Sequence, residues 1–192
     1  MSGSDELLPL SQDSLSDQFA HLAQQFYRHP YPDLPTRRRW LHALAEELLA
    51  AKSSLTAAVS ADFGYRSQQE TGLLELFPAL EGIRHARRHL RRWMRPQSRP
   101  TAFWFWPASN RVLAQPLGVV GIIVPWNYPL YLAIGPLVDA LAAGNRVMIK
   151  MSELTPQTGQ LLSSVLERAL GSDVVVVVNG PVAVAEQFTK LP

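Results

Sequence analysis

Residues 116–156 read PLGVVGIIVPWNYPLYLAIGPLVDALAAGNRVMIKMSELTP, and this stretch decides the fold. Residues 119–124 form an almost unbroken apolar run of strand length, of the kind buried on both faces of a parallel sheet. Pro125-Trp126-Asn127 makes a tight corner. Residues 128–143 have the length and apolar content of a buried helix. Residues 146–149 are a second strand running into Lys150, and residues 156–170 a second helix with proline in its first turn. Further on, valines 174–178 make a third strand, and residues 182–189 begin another helix. Strand and helix alternate from residue 119 onward, which predicts βαβ units and a parallel α/β layer.

Upstream the period is helical. Residues 1–14 are small and polar and are expected to be a disordered tail. A short helix over 15–27 is stopped by HPYPDLP, with its three prolines. Asp33 or Thr36 can cap the next helix, whose stripe is Leu41, Leu44, Leu48, Ala51, Leu55 and Val59, and Gly64 ends it. A third helical stretch over 69–94 carries Leu73, Phe77, Leu80, Ile83, Leu90 and Trp93 on one side, with Pro78 expected to kink or interrupt it. In residues 102–115 Phe103 and Phe105 alternate with Trp104 and Trp106, and PASN follows as a turn. This predicts a β-hairpin with residues 111–115 as its return strand. The expected organisation is a tail (1–14), an N-terminal helical layer (15–98), a hairpin arm (99–115) and part of a nucleotide-binding α/β domain (116–192).

Composition narrows the function classes. Hydrophobic residues make up 47% and charged residues 18%, an ordinary globular balance, and a net charge of +2 gives no reason to expect a nucleic-acid partner. The chain has no cysteine, which excludes disulfides, thiolate metal sites and a thiol nucleophile within these residues. The polar N-terminus does not read as a secretory signal, and the longest apolar run, 117–126, is too short to span a bilayer. The expectation is a cytoplasmic protein with no membrane partner.

Open α/β sheets bind ligands beyond the C-terminal ends of their strands. Those ends carry Pro125-Trp126-Asn127, then Lys150-Met151-Ser152-Glu153, then Asn179-Gly180-Pro181. The Asn127 amide can donate to a developing oxyanion. Lys150 and Glu153 can grip the two hydroxyls of a ribose, and a glutamate there would repel a 2′-phosphate. Each has a plainer alternative: an asparagine capping the next helix, and a surface Lys–Glu pair. His85 and His89 have metal-ligand spacing, but Arg84, Arg87, Arg88, Arg91 and Arg92 surround them, so no metal is expected. That arginine run reads as a solvated helix face, and the Phe/Trp alternation as a packed hairpin rather than a base-stacking platform.

PLGVVGIIVPWNYPL followed by ALAAGNRVMIKMSELTP closely resembles the aldehyde dehydrogenase superfamily. FGYRSQQETGLLELFPALEGIRHARRHLRRWMRP, residues 63–96, is most similar to its coniferyl aldehyde dehydrogenases. The resemblance covers nearly everything after about residue 20. It implies the Rossmann-like parallel sheet of that family's cofactor domain, here incomplete. It implies NAD as cofactor, with NADP possible, an aldehyde substrate, and a homo-oligomer built through the 99–115 arm. Residue by residue, Asn127 matches the oxyanion-holding asparagine. Ile123, Val124 and Trp126 match the wall beside the cofactor, Lys150 and Glu153 the adenosine-ribose ligands, and Gly180 a close backbone approach near the adenine. The family's GSTxxG turn, general-base glutamate and nucleophilic cysteine have no counterpart here. The expectation is therefore the front portion of a longer enzyme, inactive by itself. The alternative is a genuine short protein that only binds nucleotide or full-length subunits.

Overall fold

The computed structural model describes residues 12–192. Residues 1–11, most of the expected tail, lie outside the described residues. Helix α1 (Gln12–Arg28) begins inside the segment expected to be loose and runs longer than the expected 15–27. Helix α2 (Leu34–Ala50) is capped by Asp33, whose carboxylate accepts from Thr36 N at 2.9 Å, which resolves the choice between Asp33 and Thr36. The single long helix expected after it is two: the backbone breaks at Ala51, and α3 (Lys52–Phe63) continues to Gly64, which closes it at φ +78°. The stripe survives the break. Leu41, Leu44, Leu48, Ala51, Leu55 and Val59 are all buried.

The third helical stretch is interrupted, one turn earlier than Pro78. After α4 (Gln68–Thr71) comes a π turn, Gly72–Leu76, with the Phe77 amide reaching back five residues to Gly72 O. Pro78 then sits in the first turn of α5 (Phe77–Trp93), where a proline costs no hydrogen bond. The π turn lets Thr71 and Leu76, five residues apart, both face inward, together with Glu75.

The arm departs from its expected form. Its strands are β1 (Gln97–Arg99) and β2 (Asn110–Val112), antiparallel, with Ser98 opposite Arg111. Residues Phe103–Phe105 form a 3-10 turn, closed by Phe105 N to Ala102 O (2.9 Å) and Trp106 N to Phe103 O (3.1 Å). Pro100 and Pro107 flank it, and neither can donate to a ladder, so alternating aromatics do not become a strand there. All four rings are exposed, so the packed hairpin expected for them is not what the described residues show.

The α/β layer follows the sequence pattern. Strands β3 (Val119–Ile123), β4 (Arg146–Lys150) and β5 (Val175–Val178) are parallel in the order β3-β4-β5, joined by α6 (Pro129–Ala143) and α7 (Pro156–Leu170). Helix α8 (Val182–Phe188) follows β5. Only β4 is buried throughout. Among the described residues β3 has just one partner strand and is half covered, which corrects the expectation of a strand buried on both faces. Side chains of β4 alternate between two cores. Val147 and Ile149 join the larger one with α2, α3, α5, α6 and α7, whereas Met148 faces Leu15, Leu22, Val184 and Phe188 from α1 and α8. The N-terminal helices are thus not one layer, because α1 crosses the opposite face of the sheet. No helix among the described residues is long and apolar enough to cross a membrane.

The shared core makes a measurable claim. Leu48→Ala should lower unfolding stability by about 2–5 kcal/mol. Tyr65→Ala, at a side chain 92% exposed, should stay within about 0.5 kcal/mol. Urea titration of both variants checks this; similar costs at the two positions would contradict the packing described.

Candidate active site at the strand ends

The parallel register brings the three strand ends side by side. Ile123 pairs with Lys150 and Lys150 with Val178, and the ladder continues past them through Val124 N to Lys150 O (2.9 Å) and Met151 N to Val178 O (3.0 Å). The corner residues Trp126 and Asn127, the Lys150–Glu153 segment and Asn179-Gly180 therefore share one edge, where an α/β sheet presents ligand-binding groups.

Asn127 is exposed, and its side-chain amide has no hydrogen bond among the described residues. It does not cap α6. The cap position is Tyr128, which contributes no side-chain bond. The free amides of Leu130 and Tyr131 instead donate to Glu75 Oε2, at 2.8 and 3.2 Å. The Asn127 carbonyl accepts from Arg66 Nη1 at 2.5 Å. Arg66 lies between two rings, with its guanidinium carbon 4.8 Å from the centre of Phe63 and 4.4 Å from that of Tyr128. Its Nη2 is 3.5 Å from Glu70 and 3.7 Å from Glu75. Trp126 stays 52% exposed with its ring 6.0 Å from Phe63, and Ile123 is likewise exposed while Val124 is buried.

Lys150 is not part of a surface pair. It is 1% exposed, its Nζ donates to Met151 O at 2.5 Å, and Glu153 is exposed without an ion pair to it. Burial holds the Lys150 amine below its usual basicity, and Glu153 opposes this in part. An ammonium has three donors, and only one is used among the described residues. Gly180 has φ +144°, and a Cβ there would come within 2.9 Å of Val184.

A second trans cap mirrors the first. Asp62, in α3, accepts from Gln157 N (3.1 Å), Thr158 N (2.8 Å) and Thr158 Oγ1 (2.7 Å) at the start of α7. Sequence reading did not single out Asp62, Arg66 or Glu75. Only Glu75 leaves a trace, as a lone acid within GLLELF. His85 and His89 stack at 4.1 Å on α5, and no three metal-binding side chains cluster among the described residues.

The model of the aldehyde dehydrogenase family matches residues 16–192. The chain belongs to the aldehyde dehydrogenase family. Within the family, it is 51% identical over 174 residues to a probable coniferyl aldehyde dehydrogenase of Pseudomonas aeruginosa, covering 91% of this chain and 37% of that protein. It is 42% identical over 146 residues to the coniferyl aldehyde dehydrogenase of a Pseudomonas species, covering 76% and 30%. Among solved structures, a substrate-bound state of Staphylococcus aureus AldH superposes with a TM-score of 0.87 at 26% identity, over 92% of this chain and 38% of that one. The chain thus spans about a third of the length of the family members it matches.

Glu75 supplies a pH test. Burial raises its carboxyl above the ordinary value of 4.5, outweighing the Tyr131 and Leu130 amides and Arg66, while Glu70 adds to the rise. A folded-state value above the unfolded one favours folding most below the unfolded value, and that contribution is lost as pH rises through the folded one. The stability of the wild-type chain minus that of Glu75→Gln should therefore shrink as pH is raised from about 4.5, the unfolded reference value. Urea midpoints across pH read this directly; a difference that grows with pH would refute the assignment.

Proposed function

We propose that this chain is the N-terminal part of an NAD(P)-dependent aldehyde dehydrogenase that oxidises an aromatic, coniferyl-type aldehyde to its carboxylic acid. The observation that carries the reading is the exposed, unbonded amide of Asn127, fixed at a strand-end corner beside Trp126. When a nucleophile adds to an aldehyde carbon, charge gathers on the carbonyl oxygen. A positioned N–H donor that is free of other partners stabilises that charge. The nucleophile comes from outside residues 1–192, since these contain no cysteine.

The residues present fit the adenosine half of a nicotinamide dinucleotide. The spare donors of Lys150 and the exposed carboxylate of Glu153 are suited to ribose hydroxyls. Gly180 lets the backbone approach a flat ring, with Ile123, Val124 and Trp126 as the adjoining wall. The starts of α6 and α7 already hold carboxylates, so they do not suit the phosphates, which require another helix start or turn. When bound, the nicotinamide accepts the hydride. Glu153 favours NAD over NADP. The coniferyl-type substrate is inferred from the two Pseudomonas proteins named for it. The exposed ribbon of β1 and β2 is the surface assigned to self-association.

The 192-residue chain alone should form no NADH from coniferyl aldehyde and bind NAD weakly in calorimetry; turnover would mean that the nucleophile argument is mistaken. The native product should have an intact mass well above 21.4 kDa. In that product Asn127→Ala should lower kcat about 100- to 1,000-fold. Full activity in that variant would remove Asn127 from the mechanism.

A further inference from the structure

The reading of Asn127 as an oxyanion donor leaves unexplained why a buried ion pair lies directly beneath it. Glu75 is wholly buried and Arg66 nearly so, and a buried pair of this kind adds little net stability once desolvation is counted. Glu75 Oε1 and Arg66 Nε have no hydrogen-bond partner among the described residues. Apart from the Phe63 ring and Glu70, the contacts that the pair makes fall on four residues between 127 and 131. Arg66 takes the carbonyl of Asn127 and stacks on Tyr128, while Glu75 takes the amides of Leu130 and Tyr131. The side chain of Asn127 is left without a hydrogen bond among the described residues, in the middle of the functional corner.

We propose that Arg66 and Glu75 are positioning residues for Asn127, clamping the main chain on both sides of it so that its amide is presented to the reacting oxygen in one orientation. The π turn Gly72–Leu76 is the device that allows this, because a widened turn places Glu75 and Leu76 inward together. Neither residue touches the reacting atoms; both act through Asn127, and the inference rests on the oxyanion reading given above. Displacing a donor by a fraction of an ångström is costly, because its value lies in being preorganised.

The test is a double-mutant cycle on kcat in the full-length polypeptide carrying this segment, with Arg66→Met, Asn127→Ala and the pair. Arg66→Met should lower kcat about tenfold or more while leaving KM for the nicotinamide within about twofold. Added to Asn127→Ala, it should cost almost nothing further, and Arg66→Lys, which restores a cationic donor between the rings, should recover part of the loss. An equal loss in both backgrounds would show general destabilisation and overturn the clamp. Activity retained in Asn127→Ala alone would instead defeat the oxyanion reading. The clamp is then judged, as it is if Arg66→Met fails to fold, by amide hydrogen exchange. Glu75→Leu should speed exchange at Leu130 and Tyr131 about tenfold or more relative to Leu137, and Glu75→Gln, which keeps an acceptor oxygen, should restore protection. Unchanged exchange in Glu75→Leu overturns the clamp.

Discussion

Helices α6 and α7 of the α/β layer begin without a cap of their own, and both are completed by acids from elsewhere in the chain. Tyr128 and Thr155 stand at the cap positions of α6 and α7 and offer no side-chain bond. Glu75 and Asp62 supply the acceptors from 55 and 95–96 residues away. A cap contributes about 1 kcal/mol, and an acid at a helix start adds a favourable interaction with the helix dipole. More important is the topology. The helices packed on this face of the sheet are not an accessory layer but the source of groups that the sheet's own connections lack. This explains why one core runs through α2, α3, α5, α6 and α7.

The same caps occupy two helix starts at the strand ends. In many dinucleotide folds the first helix start after a strand cradles phosphate. Here both available starts of eight-residue or longer helices after a strand are filled by carboxylates that would repel an anion. What remains at the strand ends is polar without being phosphate-like: a buried amine with spare donors, an exposed acid, a glycine at positive φ, and an unbonded side-chain amide. That set suits hydroxyls and a carbonyl oxygen better than a pyrophosphate.

How much of this could be read from the residues follows from the range of each interaction. The Leu41–Val59 stripe, the three strands and the strand-end positions of Asn127 and Lys150 are set by local period, and the structure places them where that period implies. The 103–106 aromatics mislead because alternation signals a strand only where the backbone can also pair, and Pro100 and Pro107 prevent it. For Lys150 the residues left a ribose grip and a surface Lys–Glu pair both open; its burial on β4, between β3 and β5, decides against the surface pair, and no local window contains those strands. Arg66 and Glu75 were invisible for the same reason. Their partners lie 55 to 61 residues away, and only Glu75 carries a signature, charge in an otherwise apolar stretch.

The corner at 125–128 combines two requirements that usually conflict. A side chain is well fixed when it is bonded, yet an oxyanion donor must keep its hydrogens unspent. On the oxyanion reading proposed for Asn127, the conflict is resolved by dividing the work between main chain and side chain. The carbonyl is held by a guanidinium locked between Phe63 and Tyr128, and the next amides by a carboxylate with no freedom of its own, so restraint reaches the side chain through its backbone alone. A corner with Asn127 capping α6 itself would have engaged the side-chain oxygen as an acceptor and turned the amide toward the helix start. With α6 capped in trans by Glu75, the Asn127 side chain is left without a hydrogen bond among the described residues.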